Sequence, residues 1–248
     1  TDLNSKDTRQ TDAVKNAKYF PYFKNEVTGK KILSAKRRAK NILINLSLNK
    51  TILIHMKMTG HLLYGKYIYN KKENKWYPEH KDKMHPLHDP YNRFVHVVFI
   101  LSNGKHLAFC DSRKFGKITL LETKTMNETK HLFGIGPEPL DKNFTLEKFK
   151  QCIYSGKEKR IKNVLMDPSI IAGIGNIYSD EILWRAGVKP ERKAREIKNE
   201  EIKLMYKAMK EALAKGIDFG GDSMSDYRNI YGMRGEFQLH HDAYRRTG

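Results

Sequence analysis

Two of the commonest ways of stabilising or anchoring a chain are scarce in these 248 residues. There are only two cysteines, Cys110 and Cys152, set apart from each other and from any paired-ligand spacing, which excludes a four-cysteine zinc site within the chain. Neither is flanked by a catalytic constellation, so both are expected to be small buried side chains, and a reducing, intracellular setting follows. No stretch approaches the ~18 consecutive apolar residues that a membrane span needs, and no signal-peptide pattern opens the chain. Acidic residues are also under-supplied. Asp and Glu number 28 against 47 Lys and Arg, for a net charge of +19. A surplus of that size attracts polyanions over the whole surface, and nucleic acid is the first partner to consider. The plainer alternatives are an anionic membrane surface, a basic ribosome-associated factor, or the solvated lysine surface of a protein from an AT-rich or heat-adapted organism.

The chain changes hydrophobic period partway along. Lys40–Leu46, Thr51–Met56 and Phe94–Leu101 are short β-branched or alternating runs separated by Asn49-Lys50 and Ser102-Asn103-Gly104, which predicts antiparallel hairpins in two packed sheets. The polar, Lys-, His- and Pro-rich stretch from Tyr69 to Asn92 reads as an excursion loop. From Thr145, an N-cap threonine followed by apolar spacing of three and four opens a helical region. Further helices are predicted over 161–166, 177–186 and 200–216. The fold class is therefore α+β: an antiparallel β-sandwich over 1–136, a linker over 137–144 containing part of Gly136-Pro-Glu-Pro139, and a helical domain over 145–248. A glycine-punctuated loop runs from Gly220 to Gly235, and Glu236–His241 reads as a short strand or helix. No internal repeat is visible.

The most informative segment is Ile171-Ala-Gly-Ile-Gly-Asn-Ile-Tyr-Ser-Asp-Glu-Ile-Leu-Trp-Arg-Ala-Gly-Val-Lys-Pro190. Gly173 and Gly175 permit tight turns, and Asn176 falls at or near a helix N-terminus, where backbone donors and the helix dipole favour a phosphate. On spacing alone, a simple packing corner between two helices explains the segment as well.

That string is very similar to the helix–two-turn–helix motif of the formamidopyrimidine-DNA glycosylase and endonuclease VIII family, and the resemblance extends along most of the chain. Within it, Arg160-Ile-Lys-Asn-Val-Leu-Met-Asp167 and Asn176 imply phosphate contacts by Lys162 and Asn176. Ser34-Ala-Lys-Arg-Arg-Ala-Lys40 resembles the segment carrying the family's essential lysine, which falls on Lys40. His55-Met-Lys-Met-Thr-Gly60 resembles its histidine hairpin, giving His55 a phosphate and Met58 an insertion into the duplex. Asp111-Ser-Arg-Lys-Phe-Gly116 resembles the void-filling loop, with Arg113 facing the orphaned base and Phe115 wedged beside it. Gly134–Leu140 matches the interdomain connector, and Tyr244-Arg-Arg-Thr-Gly248, with Tyr244 a further phosphate contact, resembles the phrase that precedes the family's zinc finger. Gly220–Asn229 resembles the loop that folds over an everted oxidised purine in the formamidopyrimidine branch, here Asp222, Ser223, Met224, Ser225, Asp226 and Tyr227. Asp222 stands where a smaller residue is usual, a change that main-chain reading of the base tolerates.

Each residue also has a plainer use: Met58 and Phe115 in a core, Lys40 and Arg113 as solvated charges, His55 as a satisfied core histidine. Their order and their physics favour the resemblance, because base extrusion needs a wedge for the vacated space and a grip on the kinked backbone. The implied activity is base-excision repair of oxidised purines such as 8-oxoguanine and formamidopyrimidines, by Schiff base and β,δ-elimination. Damaged duplex DNA is the implied partner, with the protein a monomer and cytoplasmic, nucleoid-associated in a bacterium. The family's nucleophile is an N-terminal proline followed by glutamate. This chain opens Thr1-Asp-Leu-Asn-Ser, and Pro21 lies inside Phe20-Pro-Tyr-Phe23 without a free amine. The catalytic N-terminus, the family's opening strand and helix, and the zinc finger are therefore expected to be absent from this chain. No cofactor is expected in it, although zinc is expected in the full-length family protein. A non-catalytic protein that binds lesions or kinked DNA with the same fold is the alternative.

Overall fold

The computed structural model describes residues 12–224 and 226–243. Along the chain run α1 (Phe20–Val27), β1 (Ile32–Arg38), β2 (Asn41–Leu46), β3 (Lys50–His55), β4 (Gly60–Gly65), β5 (Tyr67–Asn70), β6 (Lys75–Pro78), β7 (Val95–Ile100), β8 (His106–Asp111) and β9 (Lys117–Glu122). Then come α2 (Leu146–Ser155), α3 (Ile161–Met166), α4 (Asn176–Ala186) and α5 (Asn199–Asp218), with short 3-10 turns between several of them.

Two compact units emerge. Among the described residues, the first holds 12–37, 41–126 and 220–235; the second holds 38–40, 127–219 and 236–243. The grouping follows local bonding and not chain order. Segment 220–235 is drawn to the β structure by the Ile230 carbonyl, which accepts from Tyr64 N–H at 2.7 Å, and by an Arg228–Asp89 ion pair. Residues 38–40 are held by Glu138, whose carboxylate accepts from Ala39 N–H at 2.6 Å and from Arg38 Nη1 at 3.0 Å.

In the first unit, a four-stranded sheet of order β1-β2-β3-β9 and a three-stranded sheet of order β4-β8-β7 form the sandwich. The pairings β2–β3, β3–β9, β4–β8 and β7–β8 are antiparallel. Ile44, Ile52, Ile54 and Ile118 of one sheet share a core with Val97 and Phe109 of the other, closed by Tyr19 and Phe23 at α1. Full burial of such a side chain contributes roughly 1.5–3 kcal/mol, which fixes the register of strands that have apolar residues on the inner face. Helix α1 lies in the N-terminal stretch, from which the family's opening strand and helix were expected to be absent. Pro21 sits in its first turn, where a missing N–H costs nothing, so that proline is a helix starter. The stretch read as a loop contains the β5–β6 hairpin and two 3-10 turns, Pro86–His88 and Pro90–Arg93. Strands of four residues are too short for their alternation to stand out in the sequence.

The second unit is helical, as its period of three and four requires. Thr145 caps α2 by accepting from Lys148 N–H. Phe149, Ile161, Leu165, Ile182, Met205 and Met209 form its core, and Glu236–His241 resolves as a 3-10 turn at Phe237–Leu239. Cys110 is buried, as expected, whereas Cys152 is only half-buried. Among the described residues, no helix is long and apolar enough to cross a membrane.

Candidate nucleic-acid interface

The first unit assembles its part of the site on two turns. Asp111, buried at the end of β8, accepts from the backbone N–H groups of Arg113 (3.2 Å) and Gly116 (2.6 Å) and from the Thr59 hydroxyl. One carboxylate thus ties the 111–116 turn to the 56–60 turn. Glycine is needed at 116 because a methyl group there would collide with the buried Phe109 ring. On this base stand Met58 and Phe115, which are exposed by 70% and 42%, figures that exclude a core role for either. Arg113 joins them: its Nη1 donates to Met58 Sδ at 3.4 Å and its guanidinium lies 4.6 Å from the Phe115 ring centre. Lys15 reaches the same ring, at 5.4 Å.

His55 closes β3 beside this patch, with Nδ1 accepting from Lys57 N–H at 3.0 Å. Partial burial and then the nearby cations Lys117 and Lys15 push the Lys57 pKa down. Like charges held that close favour an anion between them.

The second unit builds its part around the start of α4. Gly173 takes φ +87°, a conformation open to glycine at little cost, and the turn delivers Gly175 as N-cap and Asn176 as the exposed first residue of the helix. Gly175 brings no capping side chain, so the first-turn N–H groups of α4 depend on other acceptors, and an anion is well matched to them. Lys40 Nζ donates to the Ile174 carbonyl at 3.0 Å and sits 3.1 Å from where a Gly175 Cβ would be. Lys162 Nζ pairs with Asp180, one turn into α4, at 2.6 Å. Lys40, Asn176 and Lys162 are thereby gathered at one helix end, whereas His55, Met58, Arg113 and Phe115 belong to the first unit.

The loop read as a lesion cover also belongs to the first unit. Ser223 is buried, its Oγ accepting from Gly235 N–H at 2.7 Å and donating to the Tyr227 carbonyl at 2.8 Å, while Met224 N–H donates to Asp222 at 3.2 Å. Partial burial raises the Tyr227 pKa, and Asp226 lies in a bend beside it. Ser225 and Tyr244 lie outside the described residues. No group of three or more His, Cys, Asp or Glu suited to a metal occurs among the described residues. Sequence reasoning gave no role to Asp111, Glu138 or Asp180. Only Asp111 left a signal, the Asx-turn spacing to Arg113.

The first unit is thus an antiparallel sandwich with an exposed Met–Arg–Phe patch, and the second a helical unit gathering two lysines and an asparagine at one helix end. Residues 3–118 match the model of the formamidopyrimidine-DNA glycosylase N-terminal domain, and residues 135–228 match that of the formamidopyrimidine-DNA glycosylase H2TH domain. The formamidopyrimidine-DNA glycosylase of Pelotomaculum thermopropionicum is 38% identical over 91% of this chain and 74% of its own length. That of Herpetosiphon aurantiacus is 36% identical over the same shares. The Lactococcus lactis Fpg, solved in complex with DNA containing an abasic site, superposes with a TM-score of 0.74 at 28% identity, over 92% of this chain and 76% of that one. The MutM (FPG) protein of Thermus thermophilus gives 0.70 at 31%, over 89% and 73%. The chain belongs to the formamidopyrimidine-DNA glycosylase family.

Proposed function

We propose that this protein recognises oxidised purines in duplex DNA, everts the damaged nucleotide and removes its base, with strand cleavage by lyase chemistry in the complete protein. The observation that carries this reading is the exposed Met58–Arg113–Phe115 patch on the Asp111 turn. Apolar side chains are held out in water there by a buried carboxylate, an arrangement that costs free energy unless the patch inserts into something. Arg113 brings donors for the partner base, while Met58 and Phe115 bring flat or flexible apolar volume for the vacated stack. Lys40, Lys162, Asn176 and His55 serve as phosphate contacts, with Tyr244 a further one, and these position the duplex without reading its sequence. Lys40, held beside Ile174 and Gly175, orients lesion and phosphate. The loop containing Asp222–Tyr227 covers the everted base.

The test is borohydride trapping on duplexes carrying 8-oxoguanine, using the protein from its complete reading frame. A covalent complex together with release of the base is expected. Tight binding of the lesion duplex with neither trapping nor release would replace the glycosylase by a non-catalytic binder of damaged DNA.

A further inference from the structure

The loop at 220–235 is fastened to the first unit by more than its ends require. Arg228, only 2% exposed, donates from Nε to Asp89 Oδ2 and from Nη2 to Asp89 Oδ1, both at 3.0 Å. Its Nη1 donates to the Tyr227 carbonyl at 2.8 Å, and its guanidinium lies 4.9 Å from the Tyr91 ring centre. The same Asp89 carboxylate accepts from Tyr91 N–H at 2.9 Å and so starts the Pro90–Arg93 turn. Gly232 packs directly on the Pro86 backbone, and the Tyr64–Ile230 bond adds a further anchor. Around these anchors, Tyr227, Ile230, Tyr231 and Met233 remain exposed.

A buried ion pair seldom adds net stability over an apolar pair of the same volume; its best-attested use is to fix a register. A planar fork held on two oxygens fixes both position and orientation. We propose that Asp89 and Arg228 are a positioning pair that sets the 220–235 loop and thereby the discrimination between an oxidised and an undamaged everted purine, a proposal that rests on the covering role given to this loop above. The pair touches no base itself. It acts through the Tyr227 carbonyl and the backbone conformation of the residues before it, which carry the groups proposed to face the base. The two 3-10 turns, Pro86–His88 and Pro90–Arg93, together with Tyr64 of β4, then form the platform on which the selectivity loop is mounted.

The test measures binding to three duplexes that cannot be cleaved: one with tetrahydrofuran in place of the nucleotide, one with carbocyclic 8-oxoguanosine and one with carbocyclic guanosine. The wild-type protein is expected to prefer the 8-oxoguanine over the guanine duplex by at least about ten-fold. In Asp89→Asn and Arg228→Met that ratio is expected to fall to about two, while the dissociation constant for the tetrahydrofuran duplex, which has no base to cover, stays within about two-fold. Arg228→Lys, which keeps the charge and loses the fork, is expected to recover part of the ratio. An unchanged ratio in both variants would overturn the proposal, as would equal losses on all three duplexes, which would make the pair merely structural. Absence of any preference in the wild type would instead overturn the substrate reading on which the proposal rests.

Discussion

Asp111 shows how much of the site one residue carries. It satisfies two backbone N–H groups and a hydroxyl in a buried turn, and a buried donor left without a partner costs ~1–3 kcal/mol. Asp111→Ala is therefore expected to destabilise the protein by roughly 2–5 kcal/mol in urea denaturation. Phe115→Ala, at an exposed position, is expected to cost less than about 1 kcal/mol and yet weaken binding to an abasic duplex by at least ten-fold. Equal effects of the two substitutions on stability would show that Phe115 is a structural residue. Cys110 offers a pH test. Burial pushes its thiol up to about 12, so the folded chain keeps the proton after the unfolded chain has lost it. The resulting stabilisation is complete below pH 9 and is lost as the pH rises towards 12, at up to ~1.4 kcal/mol per pH unit. Cys110→Ala is expected to flatten that part of the stability profile, and the folded protein is expected to resist alkylation at Cys110 at pH 8.

At the scale of elements, legibility followed the strength of the local signal. Helices α2 to α5 were readable from their period and from the Thr145 cap, and β2, β3 and β7 from dense β-branched runs. Helix α1 was not, because eight residues containing a proline show little period. Nor was the β5–β6 hairpin, whose strands of four residues each are too short to show a period. The Asp89–Arg228 pair and the hold of Glu138 on residues 38–40 join positions roughly a hundred or more apart in sequence, and no single-sequence pattern announces them. The candidate site residues came from family resemblance, and Met58 and Phe115 were separable from core residues only by exposure. Helix α4 supplies a prediction of its own. Asp180 holds Lys162 in an ion pair, so it competes with any phosphate for that lysine. Lys162→Ala is expected to reduce the slope of log affinity against log salt by about one. Asp180→Asn is expected to raise affinity a few-fold, measured by anisotropy on the same duplex. No change in slope for Lys162→Ala would remove that residue from the DNA contact.

For the whole molecule, the net charge of +19 guarantees attraction to any polyanion and says nothing about damage. Charge alone gives comparable affinity for damaged and undamaged duplex, both falling steeply with salt. A protein that fills a vacated base position gains where unstacking has already been done, because opening an intact stack costs a few kcal/mol. The deciding measurement is the ratio of dissociation constants for undamaged and tetrahydrofuran-containing duplexes at one fixed salt concentration, for the wild type and for Met58→Ala/Phe115→Ala. A ratio of roughly ten to a hundred in the wild type, falling to within about three-fold of unity in the double variant, is expected if the wedge is real. A wild-type ratio near one, unchanged in the double variant, would mean that the chain holds DNA by charge alone.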